Sequence, residues 1–316
     1  MMRPMTFEDD REMAVALGTS GVMAAMSGGV DSSVCALLLQ EAGYAVRGAT
    51  MVLRDDQEST CGSSRDVEDA REVCQRLGIP HDAFDLRDRF DAAVVRPFCD
   101  AYLEGRTPNP CIACNRFLKF ESLQQRRREL GLDYVATGHY ARTERDAGSG
   151  RVLLKRAVHP EKDQSYVLWS LSQAQLERVC FPLGGLSKEE IRAIAEEQGL
   201  VSARRRDSQD ICFVPDGDYA AFLCHHTGRT YPPGPFCDLE GRVLGVHEGI
   251  IHYTVGQRRG LKVSSNQGRL YVREVCPQEN RVVLSDNQAL FHRGLTGKEL
   301  NLIPTGRLDR PIRVQA

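Results

Sequence analysis

The sequence predicts an α/β protein: a parallel-sheet, Rossmann-like domain, then a small central domain, then a C-terminal antiparallel β-barrel-like domain that is truncated. Three observations predict it. Apolar runs alternate with helical periods from Gly21 to about His139, the pattern of crossover units in a parallel sheet. A glycine- and serine-rich turn stands where the first such strand passes into the first helix. After Pro232-Pro233-Gly234 the helical periods give way to short alternating runs separated by turn residues.

Val22–Met26 reads as a buried strand and Ser32–Ala42 as a helix that Gly43 ends. A second strand is expected at Val46–Leu53, then a helix at Val67–Leu77 stopped by Gly78, then a strand at Ile79–Leu86. Helical periods follow over Phe90–Leu103 and Phe117–Leu130, and Asp133–Thr137 forms a short strand. Leu153–Phe222 reads as mostly helical, with Ser187-Lys188-Glu189-Glu190 as a capping box and Gly199 as the stop. Arg242–Val246, Ile250–Val255, Leu270–Val275 and Arg281–Leu284 read as antiparallel strands. The boundaries that follow are 19–222 for the first domain, with a helical insert at about 145–222, then 223–290, then 291–316. The last residues, Ile312–Ala316, look like the start of a strand with no partner, so the chain is expected to stop inside its final β-domain.

With 316 residues the chain is long enough for two domains and a sizeable core. The formal net charge is −2, so any contact with nucleic acid must come from local basic patches. Arg126–Arg128, Arg204–Arg206 and Arg258-Arg259 are the candidates, and for the helical first run a merely solvated face is the expectation. No apolar stretch is long enough to span a membrane. The acidic N-terminus, Met1–Gly18, lacks the apolar centre of a secretory leader. The 11 cysteines are an odd number, which fits a reducing, cytoplasmic setting in which a few thiols react and the rest pack. A monomer is expected.

Ser27-Gly28-Gly29-Val30-Asp31-Ser32 carries the most chemistry. Its glycines let the backbone turn tightly and bring amide N–H groups to phosphate oxygens. The helix N-terminus adds partial positive charge, and the serine hydroxyls add donors. Asp31 is unusual in an anion cradle, and its expected role is to hold a metal ion or orient the loop. No Gly-Lys-Ser/Thr follows, so this is not the Walker form. The loop resembles that of the ATP pyrophosphatases (the PP-loop superfamily), which cleave between the α- and β-phosphates and adenylylate an oxygen. That superfamily includes amide-forming synthetases and tRNA sulfurtransferases, and the loop alone does not choose between them.

Cysteines narrow the choice. Asn109-Pro110-Cys111-Ile112-Ala113-Cys114-Asn115 places two thiols after a proline-rigidified turn and ahead of a helix. Asp207-Ser208-Gln209-Asp210-Ile211-Cys212-Phe213 places a third after an arginine run. Positive charge and helix N-termini favour the thiolate, the reactive form. Alternatives stay open at this level. The Cys-x-x-Cys pair could be half a zinc site completed by Cys61 or Cys99 and His81, or a redox pair, and Cys212 could simply pack. Cys35 and Cys74 read as packing residues.

Six separated motifs occur in order: Ala25–Ser32, Gly105–Phe120, Ala136–Tyr140, Lys162–Tyr166, Asp207–Phe213 and Gly256–Leu261. Together they resemble the bacterial tRNA-specific 2-thiouridylases. That resemblance implies an ATP site at Ala25, Met26, Ser27, Gly28, Gly29, Val30, Asp31 and Ser32, with Met51 and Gly138. It implies that Asn109, Pro110 and Cys111 lie against the target base, and that His139, Lys162, Asp163 and Gln164 contact tRNA. Cys114 would be the nucleophile and Cys212 the persulfide carrier. ATP and Mg²⁺ are the implied small molecules, and the implied partners are the anticodon loop of tRNA and a sulfur-donor protein or sulfide. Cys111 stands where many members have Asp, so a 4Fe-4S cluster on Cys111, Cys114 and Cys212 is a second possible chemistry. Rivals from other classes are an amide-forming synthetase and a non-catalytic tRNA-binding or sulfur-relay protein.

Overall fold

The fold was established from a computed structural model in which residues 20–55, 62–200, 211–214, 216–263 and 268–315 are described. The chain divides into two compact units. One comprises Met1–Phe90, Cys111–Phe213 and Leu300–Ala316, and the other Asp91–Pro110 and Val214–Glu299.

In the first unit, strand β1 (Gly21–Ala25) leads into helix α1 (Val30–Glu41), then β2 (Ala45–Val52), α2 (Ser64–Leu77) and β3 (His81–Asp85). A short helix α3 (Arg87–Phe90) follows. Later come β4 (Tyr134–Ala136), the hairpin β5 (Ala141–Arg145) and β6 (Val152–Arg156), and β7 (Val179–Cys180). Five strands form one sheet in the order β3-β2-β1-β4-β7, and every pairing in it is parallel. The order reverses direction at β1, so the carboxyl ends of β1 and β4 mark the switch point at which such sheets bind ligands.

Packing follows from residue size and pattern. Val22, Ala24, Val34, Leu39, Val46, Val73, Ala136 and Ile191 share one core cluster, each large side chain contributing about 1.5–3 kcal/mol by leaving water. Gly48 lets α2 approach the sheet, because a Cβ there would lie 2.4 Å from the Cys74 sulfur. Cys74 is therefore a packing residue, as expected, and burial pushes its thiol up to about 11. Gly78 ends α2 in the left-handed region (φ 68°), while Ser63 and Asp66 form a capping box at its start.

Several element readings are corrected. The helix expected to begin at Phe117 begins at Pro110. It runs as α5 (Pro110–Ala113), a π-helical stretch Cys114–Ser122, and α6 (Leu123–Glu129). Proline at a first helical position pre-sets φ and sacrifices no bond, so it starts the helix earlier than periodicity alone implies. Cys111 and Cys114 thus sit within the helix rather than ahead of it.

The stretch expected to be mostly helical opens with β6, paired antiparallel with β5. Its described residues include α7 (Gln173–Leu176) and α8 (Lys188–Glu197), the latter on the expected capping box. Among the described residues of 291–315 no strand forms, so the strand expected from Ile312 is absent there. Instead Arg151 Nε donates to the Ile303 carbonyl, and the Asn301 amide donates to the carbonyls of Trp169 and Leu171.

The second unit contains α4 (Arg96–Leu103) and α9 (Tyr219–Thr227), which meet through Phe98, Tyr219 and Phe222. Its sheet has the order β10-β11-β8-β9, with β8 at Gly234–Cys237, β9 at Val243–His247, β10 at Tyr271–Cys276 and β11 at Arg281–Ser285. Two pairings are antiparallel, while β11 and β8 run parallel. Ile250–His252 is a 3₁₀ turn rather than part of a strand, and β8 is a strand that the sequence reading lacked. Its Gly-Pro start hid the short apolar run.

Candidate active site

Between β1 and α1 the chain makes the turn its glycines suggest. Gly28 is in the left-handed region (φ 69°), and the helix N-cap is Gly29, so no side chain caps the first turn. The Ser32 and Ser33 hydroxyls both donate to the Gly29 carbonyl, and the Ser27 amide donates to the Ser32 oxygen at 3.2 Å. The loop is thereby held from within, with its uncapped amide end at the sheet's switch point. Such an end suits an anion.

Gly138, just beyond β4, presses against this turn. A Cβ at Gly138 would lie 2.9 Å from the Asp31 carbonyl carbon and 3.0 Å from the Ser32 nitrogen. Met51 is buried near the end of β2 on the other side of β1. These residues fit a nucleotide cradle: a side chain at position 138 would fill space the backbone must approach closely.

Asp31 is tied down by two groups distant in sequence. Tyr140 Oη donates to its Oδ1 at 2.8 Å, and Lys188 Nζ lies 2.7 Å from the same oxygen. Tyr140 is in turn locked to Gln164, whose Oε1 accepts from the Tyr140 amide and whose own amide donates to the Tyr140 carbonyl. Asp163 accepts from the Ala157 amide and from the Ser165 hydroxyl. The Asp163 and Gln164 side chains therefore brace the loop beside the nucleotide turn.

Sequence reasoning missed Lys188, which it read only as part of a capping box. The one local signal is a lysine in a first helical turn, where the helix dipole disfavours a cation; its burial is visible only in the fold.

His139 is only 6% exposed, and its Nδ1 lies 2.7 Å from Thr137 Oγ1. Lys119 Nζ approaches its Nε2 at 3.5 Å. Burial first, and the Lys119 charge second, hold the imidazole well below the usual histidine range. The folded protein thus keeps His139 neutral under conditions where the unfolded chain protonates it, below about pH 6.5. Stability from this group is complete above that pH and is lost as pH falls, by up to about 1.4 kcal/mol per pH unit. His139→Gln removes that dependence. The wild-type advantage in unfolding free energy is expected to shrink from pH 7.5 to pH 5, and a difference that stays flat would refute the assignment.

The cysteines sort by environment. Cys35 is buried and its thiol is driven far upward, chiefly by burial. Cys99 is pushed up to about 11 by burial and then by the carboxylates of Asp100 and Asp91. Neither suits nucleophilic chemistry at neutral pH. Cys111 is exposed, and Cys114 and Cys212 are half-buried.

Asn115 follows Cys114 and is only 3% exposed; its amide nitrogen donates to the Cys111 carbonyl at 2.9 Å, pinning the turn that carries both thiols. Its Oδ1 is buried without a hydrogen-bond partner among the described residues. The π-helical register from Cys114 onward is a further irregularity, of the kind that concentrates at functional sites.

Both cysteine-bearing segments are tied to helix α3. Arg89 pairs with Glu121 of the π-helical stretch at 2.9 Å, and Phe90 packs edge-on against Phe213, the neighbour of Cys212, at 5.6 Å. Phe213 is also held from β2's side, where Arg54 donates to its carbonyl.

Among the described residues no group of three or more His, Cys, Asp or Glu is gathered to hold a metal ion, and Cys61 lies outside them. Residues 204–210, with the arginine run and the start of the Cys212 motif, also lie outside the described residues. In α6, Arg126 pairs with Glu129 and stacks over Phe84, and Arg127 donates to the carbonyls of Leu132 and Asp133. Those charges serve the fold, whereas Arg258 and Arg259 are exposed. No helix among the described residues is long and apolar enough to cross a membrane.

Comparison with known proteins places this geometry in a family. A family model described as "tRNA methyl transferase HUP domain" matches residues 20–216, and one described as "tRNA methyl transferase PRC-barrel domain" matches residues 220–286. A protein of Clostridioides difficile (strain 630) named tRNA-specific 2-thiouridylase MnmA is 46% identical over 300 residues, covering 93% of this chain and 83% of that protein. The Acetivibrio thermocellus protein of the same name is 47% identical over 302 residues, covering 93% and 84%. That of Carboxydothermus hydrogenoformans is 44% identical over 307 residues, covering 95% and 84%.

Proposed function

The chain belongs to the family of tRNA-specific 2-thiouridylases, and from that premise we propose that it activates the 2-oxygen of a tRNA wobble uridine with ATP and replaces that oxygen with sulfur. The observation that carries the reading is the joint presence of a phosphate-type turn at the switch point and two thiol segments braced on α3. Methyl transfer, the chemistry in the family models' descriptions, needs neither feature.

The need for ATP is chemical. A uridine carbonyl oxygen is a poor leaving group, and adenylylation converts it to a phosphate ester that departs readily. In this reading the Ser27–Ser32 turn and the α1 N-terminus hold the phosphates, and Gly138 gives them room. Mg²⁺, carried with the triphosphate, supplies charge neutralisation at the departing pyrophosphate. Asn109, Pro110 and Cys111 bear on the flipped base, whose extrusion from a single-stranded loop costs a few kcal/mol.

Sulfur then arrives from a persulfide on Cys212. Its terminal sulfur attacks C2, and AMP leaves with the former 2-oxygen. The Cys114 thiolate attacks the Cys212 sulfur, which releases the 2-thio base and leaves a Cys114–Cys212 disulfide. Sulfide attack on the Cys212 sulfur of that disulfide regenerates the Cys212 persulfide and the Cys114 thiolate together. By the other route an external thiol reduces the disulfide, and a persulfide-bearing sulfur-donor protein transfers its outer sulfur to the Cys212 thiolate. The persulfide route itself needs no iron–sulfur cluster.

The test is incubation with ATP, Mg²⁺, a sulfide source and tRNA, followed by assay of pyrophosphate and of 2-thiouridine. Both products are expected in equal amounts. Pyrophosphate without thiolation would favour an amide-forming synthetase, and neither product would favour a binding or relay protein.

A further inference from the structure

We propose that Lys188 is a positioning residue of the nucleotide site, whose task is to cancel the charge of Asp31 so that the turn accepts a polyphosphate; this rests on the ATP reading above. The anion cradle contains its own anion. Asp31 is the second residue of α1, and its carboxylate stands at the helix end that would face the phosphates. Left uncompensated, it would repel a triphosphate across a few ångströms of partly dehydrated space, where Coulomb interactions are stronger than in bulk water.

Lys188 removes that conflict. Its ammonium lies 2.7 Å from Asp31 Oδ1, it is 7% exposed, and 157 positions separate the two along the chain. The first turn of α8 opposes a cation, although Glu189 and Glu190 lie beside it. Tyr140 donates to the same oxygen and fixes the carboxylate's direction without altering its charge. The division of labour is therefore charge from Lys188 and aim from Tyr140.

The role predicts a graded loss. Binding of ATP, ADP, AMP and adenosine to the full chain is to be measured by calorimetry in EDTA, so that no divalent cation enters. Lys188→Met should weaken ATP by roughly 30-fold or more, ADP by less, AMP by little and adenosine not at all. Lys188→Arg keeps the charge and should bind ATP within about threefold of the parent. In an Asp31→Asn background, adding Lys188→Met should change ATP affinity by no more than about twofold, because there is no carboxylate left to cancel.

A loss of equal size in both backgrounds would mean that Lys188 touches the nucleotide itself, and the proposal would fall. Equal losses for all four ligands would mean a general structural defect and would also overturn it. Should Lys188→Met not fold, Lys188→Arg decides alone: ATP binding lost despite the retained charge refutes the idea. If the parent chain binds no ATP at all, the fault lies with the nucleotide reading instead.

Discussion

Serine at Cys114 or at Cys212 is expected to lower thiolation by about three orders of magnitude or more, while ATP-dependent release of pyrophosphate with tRNA continues. The two halves of that result test different parts of the mechanism. In the proposed mechanism adenylylation belongs to the turn after β1 and requires no thiol. The proposed sulfur transfer uses a persulfide on one cysteine and a thiolate on the other, and a hydroxyl supplies neither at neutral pH. Pairing the variants adds a check: because the residues act as a unit, the double variant should be no slower than the worse single one. Cys111→Ser discriminates further, since a persulfide route tolerates it and a three-cysteine cluster does not. Thiolation retained in both Cys114→Ser and Cys212→Ser would end the assignment.

Alanine at Gly138 is the second large effect. The added methyl would meet the Asp31 carbonyl carbon at 2.9 Å and the Ser32 nitrogen at 3.0 Å, both backbone atoms that no rotamer change can move. Overpacking of that kind costs about 1–3 kcal/mol of stability. The larger consequence is a displaced α1 N-terminus, for which a misplacement of about 1 Å costs roughly a hundredfold in rate. Pyrophosphate release is expected to fall by about that factor, with a modest drop in melting temperature. Gly185→Ala is the control, since a Cβ there meets nothing within 4 Å. Equal behaviour of the two variants would mean that the contact at Gly138 does not matter.

Much of the site was legible because short-range rules govern it. A glycine-serine run between an apolar strand and a helix can only be a tight turn with exposed amides, and Gly28 and Gly29 adopt it. Capping boxes at Ser63 and Ser187 likewise depend on neighbours three residues away. Periodicity failed where irregular backbone intervened. The π-helical stretch from Cys114 breaks the 3.6-residue period, and with Pro110 opening the helix the predicted start came seven positions late. The hairpin of β5 and β6 was lost for a related reason: Val152–Arg156 alternates weakly, and its pairing with Ala141–Arg145 is what makes it a strand.

The sequence by itself determined the parallel sheet, the phosphate-type turn and the motif set that gives the chain its family, because each depends on residues close together along the backbone. Only the tertiary structure decided what Asp31, Lys188, Tyr140 and Gln164 do for one another, and that His139 is buried and neutral. Those facts arise from segments twenty or more positions apart meeting in space, and from dehydration that no local pattern encodes.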